Sequence, residues 1–189
     1  MITDRRTLLA GLATVAATSA FSARAQDSSP EEMAAAIMAD PSSASTEMQF
    51  RQGVIGPAEL SLAASQLAVE KATNARVKEF AGWELTEAEG VTSVLEDLGT
   101  PIPAMDAKAQ ALLDTLRTAT GAAFDEAYIA AQLENHEFLR DLAQAFLANS
   151  SPSNADMAEM HGRHLATLAL GTFIEHVDHT RQILTELQA

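Results

Sequence analysis

The stretch NARVKEFAGWELTEAEGVTSVLEDL, Asn74 to Leu98, decides the fold. Advanced at about 100° per residue, Val77, Phe80, Ala81, Ala88, Val91, Leu95 and Leu98 fall on one narrow apolar stripe. That is an amphipathic helix with a single face to bury. Glu84 sits in the middle of the stripe, where a carboxylate must be paired, protonated or bound to something. Glu87 lies one turn on, at its edge.

Helical patterning extends outward from there. Alanine is abundant, β-branched runs are absent, and the chain holds one Trp and one Tyr. Ser29-Pro30-Glu31-Glu32 opens a short helix, with Ser at the cap, Pro at the first position and acids in the first turn. It ends near Asp40-Pro41, because the residue before a proline is pushed out of the helical region. Four longer segments follow. The first covers about Ser45 to Ala72 and is interrupted or kinked at Gly56-Pro57, where proline removes a hydrogen bond. The second is the quoted stretch, stopped by Gly99-Thr100-Pro101-Ile102-Pro103. A short helix over Ala107 to Thr118 fills the long connection. The third runs from Thr120 to about Asn149, and Ser150-Ser151-Pro152-Ser153 breaks it. The fourth extends from Asn154 to near the C-terminus, with Gly162 and Gly171 as bends. The expected fold is all-α: an antiparallel four-helix bundle over residues 45–189, preceded by a tether and short helix over 26–44.

The first residues read differently. MITDRRTLLAGLATVAATSAFSARAQ has a charged start, a short apolar run and Ala23-Arg24-Ala25 before Gln26, the order of an export signal cleaved after Ala25. Arg5-Arg6 with Thr7-Leu8-Leu9, the low hydrophobicity of the run and Arg24 near the cut match the twin-arginine type; the alternative is an ordinary secretory signal. The run is too short to anchor the chain in a bilayer. Cysteine is absent, so neither lipid attachment nor disulfides are available. A periplasmic location is the expectation. Removing Arg5, Arg6, Arg24 and Asp4 takes the formal charge from −14 to about −16. Such a surface disfavours nucleic acid and anionic lipid, so neither is expected as a partner, and no stable membrane insertion follows signal removal. A homo-oligomer stays open.

Other polar residues fall on or beside apolar stripes. In the fourth segment Leu165, Ala169, Phe173, Ile183, Leu184 and Leu187 line one side, with His176 among them and His179 near the boundary; Glu175 and Asp178 point away. In the third, Phe124, Tyr128, Leu139, Leu142 and Phe146 form the stripe, with Asn135 on it and Gln132 and His136 at its flank. In the first, Glu59 lies close to the apolar side of Leu60, Ala63 and Leu67. Carboxylates and imidazoles brought together from several helices are how bundles build metal sites in their cores, and this mixture suits iron, zinc, copper or manganese. The candidate ligands are Glu59, Glu84, Glu87, His136 and His176. The di-metal version needs Glu-x-x-His on two helices, which this chain lacks. The alternative is a buried hydrogen-bonded network in which Glu84 pairs with His176 or His136 and nothing binds. His161 and His164, in MHGRH, are expected in solvent.

Three blocks carry a family resemblance. They are GPAELSLAASQLAVEKATNARVKEFA, then GAAFDEAYIAAQLENH with Phe124-Asp125, Tyr128 and His136, and finally Glu175-His176. In their order and spacing these resemble the exported bacterial proteins called domain of unknown function 4142, over about Met48 to Leu187. The resemblance implies a ferritin-like architecture and an exported location, and no assigned reaction. This chain departs from the pattern in three places. Glu84 stands where the family usually has Met, Glu87-Ala88 where it has Asp-His, and Leu170-Gly171 where it has Leu-Pro.

Two functional readings follow. The preferred one is an exported, non-catalytic helical protein acting through its surface or a partner. The other is a ferritin-like metal-binding protein with a carboxylate/histidine site in its core. Hydrolytic chemistry finds no support: there is no cysteine, no Gly-x-Ser-x-Gly and no glycine-rich phosphate loop.

Overall fold

The computed structural model describes residues 29–153 and 156–189. The expected export signal and most of the expected tether lie outside the described residues, as does Asn154, the expected start of the last helix. Among the described residues the chain is all helical and forms no strand. Its helices are α1 (Pro30–Ala39), a 3-10 turn (Pro41–Ser43), α2 (Glu47–Lys71), α3 (Ala75–Asp97), α4 (Ala107–Thr118), α5 (Gly121–Asn149) and α6 (Met157–Leu187). None of them is long and apolar enough to cross a membrane.

Local chemistry sets the boundaries. Ser29 with Glu32, and Thr46 with Gln49, form reciprocal capping boxes at the starts of α1 and α2. Asn74, Asp106 and Asp156 cap α3, α4 and α6 with their side chains. Helix α3 stops in a left-handed glycine: Gly99 has φ 69°, its N–H donates to Glu96 O and the Thr100 N–H reaches back to Leu95 O at 2.9 Å.

The interruption expected at Gly56-Pro57 is absent. Helix α2 continues through Gly56-Pro57 without interruption, and α6 through Gly162 and Gly171. Packing explains two of the glycines. A Cβ on Gly53 would lie 2.6 Å from Ile37 Cγ2 and 2.7 Å from Leu142 Cδ2, so α1, α2 and α5 meet closely there. A Cβ on Gly162 would lie 2.9 Å from Glu47 Cβ, so that glycine marks where α6 abuts the start of α2.

Side-chain pairs give the helix directions. Ser65 meets Tyr128 and the Pro57 carbonyl meets Asn135, so α2 and α5 run antiparallel. Arg76 pairs with Glu186 and Glu84 with His176, which sets α3 antiparallel to α6. Arg51 bonds the Leu98 carbonyl and Ser61 bonds Glu84, which sets α2 antiparallel to α3. Helices α2 and α6 therefore point one way and α3 and α5 the other. The connection from α3 to α5, carrying α4, is the long one. The tight α2–α3 turn is pinned to α5 by buried Asp125, whose carboxylate accepts from the Thr73 and Asn74 N–H groups and the Thr73 hydroxyl.

Two apolar clusters fill the interior. One gathers Phe50, Ile55, Leu139, Leu142, Phe146 and Phe173 with their neighbours. The other gathers Val77, Phe80, Phe124, Tyr128, Ile129 and Ile183. Between them lies a layer of buried polar side chains from all four long helices: Ser61 and Ser65 of α2, Glu84 of α3, Gln132 and His136 of α5, His176 and Thr180 of α6.

The stripes differ from expectation at their ends. Leu98, the C-cap of α3, is 49% exposed, and Leu165 is 41% exposed because Gly162 and Ala166 supply the inner face there. On α5 the order is reversed: Gln132 and His136 are buried and Asn135 is half-buried. Helix α5 packs against α2 on one side and α6 on the other, so its buried arc is wider than a single stripe.

Candidate functional site

In the polar layer three helices aim one group each at a common point. The spacing Tyr128, Gln132, His136 carries the α5 face inward one turn at a time and delivers the His136 ring between the apolar clusters. His176 follows Phe173 on the inner face of α6, and Glu84 follows Phe80 and Ala81 on α3. Glu84 is 3% exposed, His136 1% and His176 7%. Phe80 closes the site from one side, its ring 5.1 Å from that of His176 and 6.3 Å from that of His136. Phe173 closes it from another, 6.2 Å from the His136 ring.

The facing polar atoms form a small triangle. Glu84 Oε2 lies 3.2 Å from His136 Nε2 and 3.0 Å from His176 Nδ1, and the two nitrogens are 3.1 Å apart. The other faces of these groups are already engaged. His136 Nδ1 lies 2.8 Å from the Gln132 carbonyl, which can only accept, so Nδ1 carries the proton and a neutral His136 turns the lone pair of Nε2 into the triangle. His176 Nε2 lies 3.5 Å from Glu87 Oε2. Glu84 Oε1 accepts from the Ser61 hydroxyl. That hydroxyl is 2.9 Å from Gln132 Oε1, and Gln132 Nε2 reaches the Ser65–Tyr128 hydroxyl pair. Glu84 Oε2 itself is buried and finds no hydrogen-bond partner of acceptable geometry among the described residues, despite its nearness to both rings.

The electrostatics follow from this packing. Burial would raise the Glu84 carboxyl, but the two imidazoles and Ser61 overrule it and hold the group well below the usual carboxylate range. Burial would lower His136, but the Glu84 carboxylate against it raises it above its ordinary value. Glu87 is raised by burial, with His176 opposing and Glu84 adding to the rise. Burial likewise pushes the Tyr128 phenol upward. With both histidines neutral, at least one edge of the triangle sets lone pair against lone pair. An added proton or a bound cation relieves it.

Of the five residues expected as ligands, the structure brings Glu84, His136 and His176 into one group with ligand-bearing atoms facing one another. Glu87 stands behind His176, half-buried. Glu59 does not join them: it is half-buried on α2, where burial and the charge of Glu96 raise its carboxyl. His179 lies tilted against the exposed Trp83 ring at 5.8 Å, and His161 and His164 are exposed. Ser61 is the site residue that the stripe reading passed over; Gln132 stood at the flank of the α5 stripe but not among the candidate ligands. Ser61 lies on the buried Ala58–Ala64–Ala68 face of α2, a signal obscured by the interruption expected at Pro57.

No curated protein and no solved structure matches the chain. The family model described as "Domain of unknown function (DUF4142)" matches residues 32–183, most of the described chain, and the protein belongs to that family.

Proposed function

We propose that this is an exported, periplasmic protein, built as a ferritin-like four-helix bundle, that binds one transition-metal ion between Glu84, His136 and His176. The unpartnered, buried Glu84 Oε2 facing two ring nitrogens carries the reading. Atoms 3.0–3.2 Å apart are spaced as neighbouring ligands of one ion with bonds of about 2.1 Å, at angles between octahedral and tetrahedral. Each imidazole also has the outer partner that metal-bound histidines keep: the Gln132 carbonyl for His136 and the Glu87 carboxylate for His176. Two imidazoles and a carboxylate suit iron, zinc, copper or manganese. The opposed helix pairs joined by one long crossover support the ferritin-like reading, and the charge pattern of residues 1–25 supports export.

The role is binding rather than turnover. Two surface depressions, one lined by Asp178, Arg181 and Glu186 and one by Gln52 and Pro101–Pro103, stand apart from the group. A second reading is favoured by the raised basicity of His136: a metal-free ion pair of Glu84 with a protonated histidine. Cobalt(II) titration of metal-stripped protein separates the two. One equivalent with visible d–d bands, lost in His136→Asn and His176→Asn, supports the metal site; featureless, non-saturating binding supports the ion pair. Fractionation of cells expressing the full chain and an Arg5→Lys/Arg6→Lys variant tests the export route.

A further inference from the structure

The start of α6 presents a second set of metal-binding side chains, with no residue in common with the core group. Met157, Met160, His161 and His164 stand at i, i+3, i+4 and i+7. Each is three or four residues from two of the others, so the four form a closed quadrilateral on one helix face, with neighbouring Cβ atoms about 5–6 Å apart. All four are exposed, Met157 at 62% and Met160 at 39%. The His161 and His164 rings are already side by side, with centroids 6.3 Å apart.

The opposite face of the same turns is fixed in place. Glu159 accepts from the Glu47 N–H at 3.1 Å, Gly162 lies against Glu47, and Arg163 donates to the Leu147 carbonyl at 2.9 Å and the Ser150 carbonyl at 3.0 Å. Ala166 is fully buried. The inner face anchors the helix, and the outer face carries the four side chains. None of the four helps fill the core, so their chemistry is available to solvent.

We propose that Met157, Met160, His161 and His164 form a surface site for Cu(I). Two thioethers make the site soft, which favours Cu(I) over zinc, manganese or calcium, and imidazole is a good ligand for the same ion. The chain has no cysteine to compete for it. A formal charge of −14 raises the local concentration of any cation at the surface.

The test is a titration of the full chain with Ag(I), a redox-inert probe of the same softness, read by NMR of 13C-methyl methionine. The methyl signals of Met157 and Met160, assigned by single Leu substitutions, should shift and saturate at one equivalent. Met157→Leu/Met160→Leu and His161→Asn/His164→Asn should each weaken Ag(I) by about tenfold or more, and Glu84→Gln should leave it unchanged. Met157, Met160, His161 and His164 are all exposed, so the two double variants should keep the circular dichroism of the parent. Shifts confined to Met38 or Met48, or affinities within about twofold of the parent in both double variants, would overturn the proposal. Loss of cobalt at the core in Glu84→Gln with Ag(I) binding intact would show that the two sites fail independently.

Discussion

Across 3.1 Å, Nδ1 of His176 faces Nε2 of His136, and one oxygen of Glu84 lies within 3.2 Å of both. The two histidines are 40 residues apart and belong to different helices. Their approach leaves three electron-rich atoms around one point inside a sheath of apolar rings. Any account of this protein must say what sits between them, a proton or an ion.

Removing the carboxylate separates its two roles. Glu84→Ala should lose core metal entirely. In metal-free protein it should cost about 3 kcal/mol, since it leaves a buried imidazole without its counter-charge. Urea unfolding of chelator-treated protein measures the second effect, and equilibrium dialysis the first.

Glu87 should act on the metal through His176 and not on the fold. Glu87→Gln is expected to weaken metal binding by about 10–100-fold while changing metal-free stability by less than about 1 kcal/mol. Competition with a chromophoric chelator reads the affinity. An unchanged affinity would place Glu87 outside the site.

The metal-free protein should be most stable in a mildly acidic window. His136 is raised above its ordinary 6.5, so its stabilisation is complete below that pH and is lost as pH rises through the folded value. Glu84 is lowered from 4.5, so its contribution is present above 4.5 and is lost as pH falls. Stability should therefore peak between 4.5 and 6.5 and decline on the alkaline side by at most about 1.4 kcal/mol per pH unit. Metal reverses the alkaline trend, because it binds the neutral rings and competes with protons. Urea midpoints at two pH values, with and without chelator, show the crossing.

Two glycines on neighbouring helices should respond oppositely to alanine. At Gly53 the new Cβ would meet Ile37 and Leu142, a close approach in a packed core, and Gly53→Ala should destabilise by about 1–3 kcal/mol. At Gly82 nothing lies within 4 Å, and Gly82→Ala should stabilise by about 0.5–1 kcal/mol through helix propensity alone. Thermal melts of the two variants provide the comparison.

The helices were legible because their apolar residues recur at one period and their ends carry caps. The narrow stripe around Phe80 located Glu84, and the same logic located His176 next to Phe173. Gln132 and His136 were harder to place, because a helix with two neighbours buries more than one stripe can show. Ser61 was hidden by Pro57, which suggests a break in sequence although the helix runs through it. Glu59 illustrates the converse. Nearness to an apolar face does not bring a side chain into contact with groups on other helices, and only the packing of four helices decided which carboxylate met the histidines.

The most direct measurement is metal analysis by inductively coupled plasma mass spectrometry. It should be made on tag-free protein purified from the compartment it reaches, beside Glu84→Ala and His176→Ala. The surface variant Met157→Leu/Met160→Leu/His161→Asn/His164→Asn serves as background. The account predicts one equivalent of a transition metal in the surface variant, absent when Glu84→Ala or His176→Ala is made in that background. Metal absent from the surface variant even after reconstitution, or retained when either core substitution is added to it, would contradict the account and leave Glu84, His136 and His176 as a proton-sharing structural group.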